Sequence, residues 1–262
     1  VDLPMTAAPT LTLIGVGGLP LVEAGDDLVA LIAGALDTQR TGIADGDIVV
    51  VTSKIVSKAE GRLVHLATVT PSSRARTLAA ATDKDPRLVE LILRESTAVS
   101  RARPGVLIVR HRLGFTSSAA GIDHSNVAAD EDLVLLLPAD PDASAARLHE
   151  GLERATGRRL GVVVTDTHGR PFRRGNIGVA IGVAGVPALL DLRGDVDLFG
   201  HVLKVTEVPL ADMVAAAAGL IAGETVERLP VVVLRGLARA GQGRASDLVR
   251  PPEQDLYGAS ER

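Results

Sequence analysis

Apolar residues along this chain fall into two rhythms. Short unbroken or β-branched runs predict strands at Leu11–Ile14, Ile48–Val51, Val106–Val109, Leu133–Leu137, Val162–Thr165, Val179–Val183, Val202–Val208 and Pro230–Leu234. The run at Ile48–Val51 has no polar position, the mark of a strand buried on both faces. Between these runs the spacing becomes helical. Leu28, Leu31, Ile32 and Leu36 follow a cap at Asp26 or Asp27 and predict a helix ending near Gly42. A second helix is expected from Ser72 or Ser73 to about Ala81. A third starts at Asp85, with Pro86 in its first turn and Leu88, Val89, Leu91, Ile92 and Leu93 inside. Ser144–Ala155, with Ser144 as cap, and Leu210–Ile221 after Pro209 complete the set.

Strands and helices alternate irregularly, which predicts an α+β (mixed α/β) domain over residues 11–237. Residues 1–10 read as an N-terminal extension and 238–262, with Pro251-Pro252, as a polar tail, linker or docking arm.

Composition narrows the function. With 2% aromatic residues the core must be built from Val, Leu, Ile and Ala, and base-stacking platforms for single-stranded nucleic acid are missing. A net charge of −4 gives no field for polyanions, so nucleic acid is not expected as a partner. The absence of cysteine excludes disulfides, thiolate zinc sites and cysteine nucleophiles. The six histidines show no metalloprotease spacing, so a metal here is expected to be a hard ion held by oxygens. No apolar run is long enough to span a membrane and no signal pattern opens the chain, which predicts a cytoplasmic protein.

The candidate chemistry lies just past strand ends, where open α/β sheets gather their ligands. After Ile48–Val51 come Thr52-Ser53-Lys54-Ile55-Val56-Ser57-Lys58-Ala59-Glu60-Gly61-Arg62, a crowd of hydroxyls and cations suited to phosphate. Two of the chain's four lysines stand in it, and none of the four follows a glycine, so a P-loop is excluded. Gly15-Val16-Gly17-Gly18 resembles the opening of a dinucleotide fingerprint but lacks its third glycine. After Val106–Val109, Asp123 and Asn126 stand three apart, a spacing that alone describes an Asx turn. After Val162–Thr165 the chain is expected to break into a polar loop holding Asp166, Thr167, His168, Arg170, Arg173 and Arg174. A carboxylate beside a hydroxyl can grip a hard cation, and arginines can clamp phosphate or carboxylate oxygens. Together, Ser53 with Lys58, Asp123 with Asn126, and Asp166 with Thr167 predict a nucleotide–metal site for one or two Mg2+ or Mn2+ ions.

Four segments also carry a resemblance: Val51–Arg62, Gly121-Ile122-Asp123-His124-Ser125-Asn126, Thr165-Asp166-Thr167-His168-Gly169-Arg170-Pro171-Phe172-Arg173 and Ala180-Ile181-Gly182-Val183-Ala184-Gly185. In order and over Leu11 to Gly236 the chain resembles the coenzyme F420-0:L-glutamate ligase family. That resemblance implies a GTP-dependent, divalent-metal-dependent ligase that joins L-glutamate to the deazaflavin acceptor F420-0 through γ-linked amides and an acyl phosphate. It implies that Leu19, Pro20, Leu21, Val22, Ser53, Lys58 and Asn126 hold the nucleotide. It implies that Asp123 and Asp166 share one metal, that Thr167 and Glu224 meet a second, and that K+ is a further candidate ion. Archaeal members often carry Gln at the position of Glu224, where a carboxylate can do the same work. Arg170 and Arg173 are the expected catalytic clamps on the acceptor. The family further implies an intertwined homodimer with two sub-regions. In actinobacterial relatives it implies fusion to, or work with, a flavin-dependent reductase-like domain. The tail at Asp255-Leu256-Tyr257 resembles the run into that domain, and the chain reads as the ligase part alone. Two rivals stay open at this level: a GTP-binding regulatory domain without ligase activity, and a deazaflavin-binding redox domain.

Overall fold

The computed structural model describes residues 9–40, 42–237 and 239–254; the extension before Pro9 and the stretch Asp255-Leu256-Tyr257 lie outside the described residues. In chain order the first elements are β1 (Thr12–Val16), α1 (Leu28–Thr38), β2 (Asp47–Thr52) and α2 (Ser53–Ala59). β3 (Leu63–His65), α3 (Ser73–Thr82), α4 (Pro86–Arg94), β4 (Ser96–Arg103), β5 (Val106–His111), β6 (Thr116–Ser118) and β7 (Leu133–Leu135) follow. The chain continues with α5 (Pro141–Thr156), β8 (Leu160–Gly169), β9 (Asn176–Ala184), β10 (Leu190–Asp191), β11 (Glu207–Val208), α6 (Leu210–Ala222) and β12 (Val231–Arg235). Helices and mixed sheets in this order make the fold α+β, as the irregular alternation predicts.

The main sheet runs β1-β12-β2-β8-β9, with β2 and β8 parallel and every other pair antiparallel. The apolar run of β2 behaves as its pattern requires. Val49 and Val51 pack on one face with Leu28, Ile32 and Leu36 of α1 and Leu148 and Leu152 of α5. Ile48 and Val50 pack on the other with Ala211, Val214, Ala215 and Ala218 of α6. A separate core joins α3 and α4 to β5 through Ala75, Val89, Ile92, Leu107 and Val109, with the half-buried Val99 and Ala102 of β4 packed against it. The helix starts at Asp27, Ser72 and Asp85 are real caps, each side chain accepting a first-turn N–H. No helix of the described residues is long and apolar enough to cross a membrane.

Several expectations need correction. β1 starts one residue later and ends two residues later than Leu11–Ile14, and α1 stops at Thr38, short of Gly42. Ser53–Lys58, whose polar run carries no helix signal of its own, forms most of the short helix α2, because Ile55 and Val56 are buried and anchor its inner side. The cap of α5 is Asp140. Ser144 sits one turn inside, where its hydroxyl donates to the Glu60 carboxylate and the Asp140 carbonyl. Of Val202–Val208 only Glu207–Val208 is a strand; Val202 makes one isolated bridge to Val196. β4 was not signalled, since it pairs only with β5 and leaves most positions exposed, two of them arginines. Within the tail, residues 245–248 form a 3-10 turn whose Ala245 N–H donates to Asp142 at 2.8 Å, and Ala245 joins the α6-side core.

Candidate active site

The parallel pairing of β2 and β8 sets Thr52 opposite Thr165, so the residues after both strands emerge side by side. The chain beyond Thr165 does not break into a loop. β8 runs on through Gly169, with Asp166 opposite Val179 and His168 opposite Ile177 on β9. Thr suits a pleated strand, and the strand period of two sends Asp166 and His168 to one side and Thr165 and Thr167 to the other.

These register facts bring distant side chains together. The buried Ser53 hydroxyl donates to Asp166 Oδ1 at 2.9 Å. His168 Nε2 lies 3.0 Å from Asp166 Oδ2, and its ring packs at a tilt on Phe115, centroids 4.7 Å apart. Thr167 Oγ1 donates to Glu224 Oε1 at 3.1 Å, which ties β8 to the end of α6. Asp123 follows a turn at Ala119–Gly121 and bridges to Leu135. Gly121 has φ of +65°, and a Cβ there would lie 2.8 Å from Leu137 and 3.3 Å from Asp166, so only glycine lets this turn approach the carboxylate. Asn126, at φ of +55°, donates from Nδ2 to the Thr225 carbonyl at 3.0 Å.

One cavity of about 710 Å3 takes in this group apart from His168 and Phe115, which stand behind Asp166. Leu19, Pro20, Leu21 and Val22 form one apolar wall, and Ser53, Lys58, Asp123, Asn126, Asp166, Thr167 and Glu224 also line it. Arg170 and Arg173 do not. They sit on the turn between β8 and β9, where Arg173 is exposed and Arg170 Nη2 donates to the Arg174 carbonyl. β8 continues past Asp166 and so sets both arginines on this turn, beyond the lining of the cavity.

Electrostatics follow from the crowding. Burial pushes the Asp123 carboxyl up, Lys54 beside it pulls it down, and Asp166 and Glu224 push it up again. Burial, then the neighbouring Lys54, lowers Lys58. Among the described residues no three His, Asp or Glu side chains are close enough to enclose an ion. The donors are carboxylates and hydroxyls, which fit a hard divalent cation that keeps much of its water shell. His168 and Lys54 are contributors that the sequence reading did not place in the site. The signal for His168 was its two-residue spacing from Asp166, informative only once that stretch is known to be strand.

His111, behind Phe115, is fully buried with rings stacked at 5.0 Å; it accepts from Leu113 N–H through Nδ1, and Nε2 has no hydrogen-bond partner. Burial, reinforced by Arg112, pushes it down to about 4 from 6.5. The unfolded chain therefore binds this proton first. Stability from the neutral ring is complete above pH 6.5 and is lost as pH falls toward 4. Urea unfolding at pH 7 and pH 4 should give a drop about 3 kcal/mol larger in the wild type than in His111→Gln. Equal drops would show that His111 does not carry this acid sensitivity.

Comparison with known proteins places the geometry in a family. The model described as F420-0:Gamma-glutamyl ligase matches residues 17–236. The coenzyme F420:L-glutamate ligase of Methanothermobacter thermautotrophicus is 45% identical over 250 residues, covering 94% of this chain and 98% of the relative. The protein of the same name from Methanopyrus kandleri is 43% identical over 258 residues, covering 97% and 100%. That of Archaeoglobus fulgidus is 44% identical over 241 residues, covering 92% and 94%. This α+β chain, with its oxygen- and lysine-lined cavity at paired strand ends, belongs to the F420-0:gamma-glutamyl ligase family.

Proposed function

We propose that this chain joins L-glutamate to coenzyme F420-0 through γ-linked amide bonds, using GTP and divalent cations. The observation that carries the reading is the extent of the match: relatives bearing this activity in their names align over nearly their whole length. The cavity chemistry supports it. Leu19 to Val22 offer an apolar wall for the guanine, and Asn126 a side-chain amide. Lys58 and Ser53 stand at the phosphate end, with Asp123 and Asp166 as holders of one Mg2+ or Mn2+ ion and Thr167 and Glu224 of another. K+ remains a further candidate. Bound there, the ions would draw charge from the γ-phosphate as it is transferred.

In the proposed reaction an oxygen of the acceptor carboxylate attacks the γ-phosphorus, the bond to GDP breaks, and an acyl phosphate forms. The glutamate amine then attacks the acyl carbon, phosphate leaves, and the amine gives up a proton to water. The Lys58 ammonium offsets charge on the departing diphosphate. The Ser53 hydrogen bond fixes the rotamer of Asp166. Mass spectrometry of F420-0 incubated with the protein, GTP, Mn2+ and glutamate tests the reading. Glutamate-sized increments should appear only in the complete mixture. Nucleotide binding without any increment would favour a regulatory domain.

The working unit is proposed to be a homodimer. Residues 192–206 leave Leu198 99%, Phe199 85% and Val205 84% exposed, an apolar surface that a lone chain would present to water. Sedimentation should give a dimer for the wild type and a monomer for Leu198→Asp with Phe199→Asp. A wild-type monomer would end this part of the proposal.

A further inference from the structure

Lys54 is the one residue of α2 whose ammonium touches an acidic group of the cavity. Its Nζ lies 3.3 Å from Asp123 Oδ2 and donates to the Ser125 carbonyl at 2.8 Å. A carboxylate and a carbonyl are oxygen donors of the kind that a hard divalent cation takes. The other carboxylates of the cavity are answered by hydroxyls, a backbone N–H or an imidazole: Asp166 by Ser53 and His168, Glu224 by Thr167, Glu227 by Thr225. Lys54 therefore supplies the formal positive charge at Asp123. It also precedes Lys58 by one helical turn, so both ammoniums leave α2 on one face and line the same cavity.

We propose that Lys54 is a built-in counter-ion, holding Asp123 until a divalent cation takes its place and then turning to the phosphates of the nucleotide. This rests on the nucleotide–cation reading of the cavity and adds a role for a residue outside it. A flexible four-carbon stem allows the exchange without movement of α2. The consequence is coupling. A cation arriving alone must displace the ammonium, whereas one arriving with nucleotide gives that ammonium a new anion. Each ligand then raises the affinity of the other by the same factor.

The test is Mn2+ binding, read from the free-ion electron paramagnetic resonance signal of the full chain with and without GTP. Without GTP, Lys54→Met should bind Mn2+ about tenfold more tightly than the wild type. The enhancement of Mn2+ affinity by GTP should shrink by about the same factor. Lys58→Met removes an equal charge that touches no carboxylate, and should move Mn2+ affinity without GTP by less than about threefold. Lys54→Gln repeats the measurement in a second side chain should Lys54→Met fail to fold. Unchanged or weaker Mn2+ binding without GTP in both Lys54 variants would overturn the exchange, as would equal strengthening by Lys58→Met. A wild type that holds no Mn2+ even with GTP would instead overturn the nucleotide–cation reading itself.

Discussion

Asp166→Ala is expected to lower glutamate-dependent turnover by about a thousandfold or more, a loss of about 4 kcal/mol in the transition state. Asp166 is 11% exposed, lies between the ends of β2 and β9, and receives Ser53 while meeting His168. Removing it takes a negative charge from the place where the phosphate-bound cation is proposed to sit. It also leaves the buried Ser53 hydroxyl without its acceptor. The second effect is structural and small, about 1–3 kcal/mol. Asp166→Asn separates the two, because its amide oxygen can still accept from Ser53 while the charge is gone. Steady-state kinetics with thermal melts should show both variants inactive and Asp166→Asn close to the wild-type melting temperature. Near-normal turnover in Asp166→Asn would remove the charge from the mechanism.

Gly182→Ala should severely damage folding. Gly182 faces Val164 across the β8–β9 ladder, and its missing side chain leaves room for the start of α5. A Cβ there would lie 2.1 Å from the Pro141 carbonyl oxygen and 2.5 Å from its carbon. Those atoms are backbone, held by the capped first turn of α5 and by Asp142, which accepts from Val183 N–H and Ala245 N–H. The helix start would have to move as a unit, which raises the cost above ordinary overpacking to about 3 kcal/mol or more. Denaturant unfolding measures this. A loss below about 1 kcal/mol would show that the α5 start can shift freely.

Much of this fold was legible because burial and pattern coincide. The uninterrupted Ile48–Val51 can only be covered on both faces, and Asp27, Ser72 and Asp85 announce helices with side chains that accept the first free N–H groups. The failures occur where a ligand cavity replaces the core as neighbour. Thr165 to His168 look like a loop because they are polar, and they are polar because that end of the strand faces the cavity or its acidic lining. The same holds for α2, whose Ser and Lys residues hide a helix anchored by two buried side chains. The continuing strand also sets Arg170 and Arg173 on the β8–β9 turn, several residues beyond Asp166. Val202–Val208 misleads in the opposite direction: its apolar content resembles a strand, yet only Glu207–Val208 is one, and Val202 and Val205 are exposed in this chain alone. The grouping of Ser53, Asp123 and Asp166 was anticipated from residue chemistry and from resemblance. What pattern alone could not supply was the pairing of β2 with β8 that brings them together.

The proposed chemistry requires one cation lying between Asp123 and Asp166 against the nucleotide phosphates. Crystals grown with GTP or GDP and Mn2+, measured at the manganese absorption edge, test this directly. The predicted result is an anomalous peak within ligand distance of both carboxylates and of a phosphate oxygen. Manganese and nucleotide found elsewhere, or a peak that touches neither aspartate, would contradict it.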